Sequence, residues 1–409
     1  MSKALEVFAG LRVLDVGSFI AAPAAATVLS DFGAQVIKIE PPGTGDPYRA
    51  LAAQPGFPES EHNYCWTLDA RNKRSLALDL SSREGRAVLH RLVRGTDVFI
   101  TNMPTKVRER IGISYDQVAE LSERLIYASF TAYGETGEEA HMTGFDSTAW
   151  WARSGLMEQI RPDGQSLPSR SLPGMGDHQA ALSLFSAIVT ALYRRERTGK
   201  GGYVGSSLLA NGAWSNSCYL QAALCGAKFT DRPLRTKAKI PLSNHYRCQD
   251  DRWIILSMSV SPAQEDRNWP AFARILGHSE WAADARFATR QARHENNEQL
   301  VAALDQAFAL REARFWQTEL TAAGVSVSVV ARVTDLVGDR QMLATGVLVP
   351  MPGSGGADLT VSSPFWLADA EKVAPQPAPN VGQHTDEVLL DLGLGLAEIE
   401  HLRKAGIVA

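Results

Sequence analysis

The stretch LRVLDVGSFIAAPAAATVLSDFGAQVIKIE, residues 11–40, decides the fold. Two runs rich in β-branched and large apolar residues, Leu11–Val16 and Gln35–Glu40, flank an alanine-rich segment, Ala22–Phe32, with helical periodicity. Strand, helix and strand in that order describe parallel strands joined by a crossover helix, with ligands expected beyond the strand C-termini.

The rhythm continues outward. Leu76–Asp79 reads as a strand, Ser82–Arg94 as an amphipathic helix and Asp97–Thr101 as a fully apolar strand. Another strand, Leu125–Phe130, runs into turn-rich sequence over Thr131–Gly144, and His178–Glu196 reads as a core helix stopped by the glycines and lysine of Thr198–Gly202. Tyr203–Leu209 resumes a strand. From Lys228 the composition changes, with Pro233, Pro241 and basic residues before a short strand, Trp253–Ser257. Helices over Trp269–Leu276, Asn297–Phe308 and Arg311–Ala323 follow. The expected fold class is α/β: a Rossmann-like large domain with a parallel sheet over 1–227 and 335–409, and a smaller α+β domain over 228–334. The tail holds two amphipathic helices, and Gly353–Gly356 and Ala374–Pro379 read as loops.

The bulk numbers narrow the function. Of 409 residues, 45% are hydrophobic and 21% charged, which is ordinary globular composition. A formal charge of −4 argues against nucleic acid as a partner, so a polyanionic ligand needs a local basic patch. Cys65, Cys218, Cys225 and Cys248 have neither disulfide-framework nor zinc spacing, so no metal is expected and a reducing compartment is. With no leader pattern or apolar span, the expected location is cytoplasmic, with no membrane partner.

Familiar motifs fail. Pro42–Asp46 offers G-x-G without a third glycine, and there is no Walker A, nucleophile elbow or H-E-x-x-H. What remains is Pro173-Gly-Met-Gly-Asp-His178, two glycines and an aspartate at the head of the core helix. Glycines admit close backbone approach, and a helix start offers free N–H groups near a developing oxyanion. A carboxylate there is able to attack a thioester, although position alone favours Asp177 as an N-cap. Asn72-Lys73-Arg74-Ser75 sets adjacent cations before a strand, able to pair with phosphates or to sit as solvated surface. Asn102, at a strand end, reads as a ligand contact or a turn cap, and Arg110 reads as a further cation there or as surface. In Gly144–Gly155, Phe145, Trp150 and Trp151 read as core or as an acyl pocket, and Asp146 as a cap.

Taken in order, LRVLDVGSFIAAP, LSDFGAQVIKIEPPGTGDPYR, NKRSLALDL, DVFITN, LIYASFTAYGETG, GFDSTAWWARSG, GMGDHQAALSLF, RRERTGKG and GQHTDEVLLDLGL resemble the class III CoA-transferase family, also called CaiB/BaiF. This family includes formyl-CoA transferase and, as a divergent branch, α-methylacyl-CoA racemase. The resemblance implies an acyl-CoA:carboxylate CoA-transferase in which Asp177 is the nucleophile, forming an aspartyl mixed anhydride and then an aspartyl-CoA thioester. It further implies that Ile20, Ala21, Lys73, Arg74, Asn102, Met103 and Arg110 line the CoA site, with Phe145 and Asp146 near the thioester. Coenzyme A enters as a thioester substrate and no permanently bound cofactor is implied; the partners are acyl-CoA, a carboxylic acid and a second, interlocked copy of the chain.

Pro41-Pro42 stands where formyl-CoA transferase carries an arginine pair, and its tetraglycine loop has no counterpart before Trp253, which points away from formate or oxalate. Racemases resemble one another in a histidine before the aspartate of the G-x-D motif, where this chain has Phe145, which carries no proton. His178 follows Asp177 directly, and neighbours at a helix start point in different directions. Several segments look closest to the cinnamoyl-CoA:phenyllactate and 2-hydroxyacid branch, whereas Arg49, Arg71, Arg235 and Arg247 would suit a dicarboxylic acceptor. The readings kept beside the transferase are an epimerase and a non-catalytic acyl-CoA-binding protein.

Overall fold

The computed structural model describes residues 6–258, 261–353 and 358–409, so the loop read at Gly353–Gly356 lies, from Ser354 on, outside the described residues. The chain forms two compact units, one of residues 1–159, 170–225 and 340–409, the other of residues 160–169 and 226–339.

The first unit begins with β1 (Arg12–Asp15), α1 (Ala21–Asp31), β2 (Gln35–Glu40), α2 (Tyr64–Asp69), β3 (Lys73–Ala77), α3 (Arg83–Val93) and β4 (Val98–Thr101). Short helices α4 (Thr105–Arg110) and α5 (Tyr115–Ala119) lead to β5 (Ile126–Thr131), and a π-helical turn, Asp146–Ala152, leads to α6 (Leu156–Gln159). Then come α7 (Met175–Thr198), β6 (Gly202–Ser207), α8 (Leu208–Ser215) and α9 (Ser217–Leu224).

The six strands form one parallel sheet in the order β3-β2-β1-β4-β5-β6. Alternate residues feed opposite faces. Val13, Val36, Val98, Ile100 and Ile126 pack with the alanines of α1 and with Ala180, Leu184 and Ile188 of α7. Leu14, Ile39, Leu76, Phe99 and Tyr127 pack with Val88 and Leu89 of α3 on the other side. Burial of both faces is why the strands read as continuous apolar runs.

The second unit contains the antiparallel sheet β7 (His245–Arg247), β8 (Trp253–Leu256) and β9 (Val327–Val329). Its helices are α10 (Pro262–Ile275), α11 (Arg290–Glu295), α12 (Asn297–Phe308), α13 (Ala313–Ala322) and α14 (Val333–Leu336), around a core of Trp269, Phe272, Phe308 and Trp316.

The chain then re-enters the first unit through α15 (Arg340–Ala344), the hairpin β10 (Leu348–Pro350) and β11 (Leu359–Val361), α16 (Thr385–Asp391) and α17 (Leu396–Lys404). This last segment covers the outer edge of β3. The His384 N–H donates to the Ser75 carbonyl at 3.0 Å, the Asp79 N–H donates to the Ile407 carbonyl at 2.8 Å, and Leu78 bridges Val408. Val388, Leu389, Ile399 and Leu402 join the α3-side core.

Two boundaries differ from the sequence reading in ways that matter. β3 begins at Lys73, earlier than its apolar run, because Lys73 and Arg74 already pair with Val36 and Ile37 of β2. Helix α7 begins at Met175 with Gly174 as its N-cap, so Asp177 sits in the first turn and is not the cap.

Candidate active site

In an open α/β sheet the ligand crevice lies beyond the carboxyl ends of the strands where the order reverses, here between β1 and β4. A cleft of about 210 Å³ opens there, lined by Ser18–Ala21 after β1, Asn102 and Pro104 after β4, Phe130–Ala132 at the end of β5, Met142–Phe145, Asp177 and Leu208. All of it belongs to the first unit.

Asn102 builds one wall. Its Oδ1 accepts from the Ser18 N–H at 2.8 Å and its Nδ2 donates to the Ser18 carbonyl at 2.8 Å, so one side chain satisfies both backbone groups of that residue. The next residue, Phe19, takes a left-handed backbone, φ +59°, held by its N–H donating to Asp46 Oδ1 at 3.1 Å. Ile20 then caps α1 without a side-chain hydrogen bond to the helix, which leaves the first-turn N–H groups without that partner.

Under this loop lies a buried charge cluster. Lys73 Nζ contacts Asp15 Oδ2 at 2.9 Å and the Pro23 carbonyl at 2.7 Å. Lys38 Nζ contacts Asp46 Oδ2 at 2.7 Å and Asp15 Oδ1 at 3.6 Å, and donates to the Gly17 carbonyl. Burial alone would raise Asp15, but Lys38 and Lys73 hold it below its ordinary value. Burial pushes Lys73 down in spite of Asp15.

Lys73 is therefore not the surface cation that its sequence context suggested: its side chain has no exposed surface and is committed to Asp15. Arg74, the next residue on the strand, points the other way to Glu387 and Asp391, each at 2.8 Å. Arg110 is exposed at the end of α4, and Met103 packs against the α3-side core. Of the residues singled out in the sequence, the cleft gathers Ile20, Ala21, Asn102, Phe145 and Asp177. Phe145 is 59% exposed and meets Phe19 edge-on at 5.9 Å.

Each glycine of the Gly174-Met-Gly-Asp177 motif has its own reason. Gly174 is left-handed, φ +77°, at the N-cap, where its position beside Ile20 brings the starts of α7 and α1 together. Gly176 lies on the indole of Trp150: a Cβ there would come within 2.5 Å of the ring. Trp150 is buried and stacked on buried Trp151 at 5.6 Å, so these tryptophans are packing beneath the site. Asp146, buried beside them, keeps its Oδ2 without a hydrogen-bond partner among the described residues, and burial raises it against the pull of the Ser147, Gly176 and Gly174 N–H groups.

Asp177 thus stands at the cleft with its carboxylate half-buried. Burial and then the charge of Asp146 push it up to about 7; His178 pulls it down and Asp69 pushes it up. A carboxylate poised there ionises near neutrality while desolvated, the condition in which it is a stronger nucleophile. Asp69 and Tyr48 were missed in the sequence: Asp69 holds His178 from 109 positions away, and nothing local marks it. Ser18 and Phe19 carried a weak signal as residues following the first strand.

The topology and cleft define a doubly wound α/β protein with a carboxylate at its switch-point crevice. Residues 8–385 match the model of CoA-transferase family III, and the chain belongs to that family. It is 32% identical over 402 residues to the (R)-2-hydroxy-4-methylpentanoate CoA-transferase of Clostridioides difficile, covering 98% of both chains. It is 30% identical over 412 residues to the cinnamoyl-CoA:phenyllactate CoA-transferase of Clostridium sporogenes, covering 99% of this chain and 98% of that one. A CaiB/BaiF family protein from Brucella suis superposes with a TM-score of 0.83 at 27% identity, over 94% of this chain and 98% of that one. Among the described residues no helix is long and apolar enough to cross a membrane.

Proposed function

We propose that the protein moves coenzyme A from an acyl-CoA donor to an apolar monocarboxylic acid of the aromatic or branched 2-hydroxy class, through covalent attachment to Asp177. The observation that carries this is the half-buried Asp177 carboxylate at the cleft, raised to about 7 and flanked by the starts of two helices.

The Asp177 carboxylate attacks the thioester carbonyl and expels CoA thiolate, giving a mixed anhydride. The thiolate attacks the aspartyl carbonyl and releases the donor acid, leaving an aspartyl-CoA thioester. The acceptor carboxylate attacks that thioester, and the thiolate freed in this step takes the acceptor acyl group, which restores Asp177. Each step conserves an activated acyl bond, so water must be excluded. Negative charge developing on the carbonyl oxygen is favoured by the N–H groups at the start of α1. Asn102, by fixing Ser18, holds that loop in place for the CoA moiety, and Ile20, Ala21 and Phe145 supply its apolar contacts. We further assign CoA binding to residues 1–227 and 335–409, with 228–334 as the small domain.

The acceptor class rests on two features. Phe19, Ile20, Phe130, Met142, Phe145 and Leu208 make the cleft lining largely apolar. The arginines that would suit a second carboxylate each hold one already: Arg49 pairs with Glu40, Arg71 with Asp31, Arg235 with Asp305 and Arg247 with Asp251. An interlocked homodimer fits the apolar side chains left uncovered on α8 and α9, with Trp214 77% and Leu224 74% exposed. Four free thiols suit a cytoplasmic setting.

The test is a peptide mass spectrum after incubation with a panel of acyl-CoA esters in deuterated water, with half of each sample quenched in hydroxylamine. A hydroxamate on Asp177, absent from Asp177→Asn, supports the cycle and reveals the donor. An unmodified Asp177 with deuterium at the substrate α-carbon sinks it in favour of an epimerase.

A further inference from the structure

The transfer cycle leaves unused one network beside Asp177, in which Asp69 and Tyr48 are buried and the His178 side chain is 42% exposed. His178 Nε2 lies 3.1 and 3.2 Å from the two carboxylate oxygens of Asp69, and the Tyr48 hydroxyl donates to Asp69 Oδ2 at 2.5 Å. Asp69 is 4% exposed at the end of α2, so its carboxylate is fixed in orientation by a phenol on one side and an imidazole on the other. A buried carboxylate facing an imidazole stabilises the protonated ring. Burial would raise Asp69, but His178, Tyr48 and Lys73 hold it down; burial would lower His178, but Asp69 and Asp177 raise it. The charged and titratable groups facing Asp177 are Asp146 from the π-helical turn, Asp69 from α2 and His178 from its own helix. Cys65 lies on α2 beside Tyr48 and Asp69.

We infer that Asp69, oriented by Tyr48, fixes His178 as an imidazolium beside Asp177, and that this cation keeps the Asp177 carboxylate ionised for attack at neutral pH. His178 is then a positioning residue that acts through Asp177, and the inference rests on Asp177 being the nucleophile. Asp146 and Asp69 both oppose ionisation of Asp177, and His178 is the cation that counters them. A purely mechanical role, tying α2 to α7, predicts the same contacts but no coupling to the charge of Asp177.

Two measurements on the full-length protein separate these roles. The first is the ¹⁵N shift of the His178 ring at neutral pH, its resonance identified by its loss in His178→Gln, or in His178→Asn should the former not fold. Both ring nitrogens protonated in the wild type, and the proton lost in Asp69→Asn, are expected. A neutral ring in the wild type overturns the inference and leaves the nucleophile reading intact. The second is the pH profile of hydroxamate formation on Asp177. In His178→Gln the acid limb moves up by about one pH unit, so that labelling is about tenfold slower well below it and recovers at high pH, as expected for removing an adjacent opposite charge. A loss equal at every pH, with the limb unmoved, overturns the inference and makes His178 structural. Absence of hydroxamate from the wild type overturns both the inference and the transfer cycle.

Discussion

Substituting Gly176 by alanine tests how Asp177 is held. The added Cβ would stand 2.5 Å from Trp150 Cδ2, 2.6 Å from Cγ and 2.8 Å from Cε3. Carbon atoms at rest lie about 3.5–4.0 Å apart, so helix and indole must separate by about 1 Å. Trp150 has little room to retreat: it is buried and stacked on Trp151, and its carbonyl stands 2.3 Å from where a Cβ of Gly212 would be. Overpacking of this kind costs about 1–3 kcal/mol, against at most about 1 kcal/mol gained from replacing a helical glycine by alanine. The movement falls on the start of α7, one residue from Asp177, and a displacement of about 1 Å at a reacting group costs about 100-fold in rate. Urea unfolding followed by tryptophan fluorescence, together with the rate of hydroxamate formation on Asp177, reads both effects. An unchanged unfolding midpoint with a wild-type labelling rate would refute the packing account of the second glycine.

Asp177→Asn is expected to abolish CoA transfer while retaining CoA binding, read by turnover and by calorimetric titration. In the wild type, the proposed cycle predicts that kcat/KM rises with pH through about 7, because it requires Asp177 to attack as the carboxylate and burial pushes that group up to about 7; a rate flat from pH 5 to 8 by stopped assay would speak against that carboxylate. Lys73→Met leaves Asp15 with the more distant Lys38 and the Gly17 N–H, and is expected to cost about 3 kcal/mol or more, since removing one partner of a buried pair strands the other; thermal unfolding reads it. Asn102→Ala frees both backbone groups of Ser18, costs about 1–3 kcal/mol and weakens CoA binding, measured by titration against unfolding.

The parallel sheet was legible because short apolar runs alternate with helical periodicity, as in the stripe Val88, Leu89 and Leu92 of α3. The site was legible in part, for reasons that differ by residue. Asn102 sits at a strand end, which left it open between a ligand contact and a turn cap until the family resemblance favoured the first. Lys73 was misread because a lysine between an asparagine and an arginine looks like a strand flank, while its pairing with Val36 is set by β2 and its burial against Asp15 by β1, one strand further in. Asp177 looked like a cap because Gly174-Met-Gly176 carries no helical signal; the helix starts there because Gly174 turns the chain and Gly176 fits against Trp150. The Asp69–His178 pair had no local mark, since its partners meet only when α2 and α7 have both packed against α1.

The covering of β3 by residues 382–408 also bears on the order in which the molecule is made. β3 is made well before the residues that cover its free side, His384, Thr385 and Ile407. Until then a nascent chain carries an unpaired parallel edge, open to adventitious strand addition, while residues 226–339 have all of their own core to fold upon. Chains cut short before Thr385 would therefore be sticky rather than merely less active.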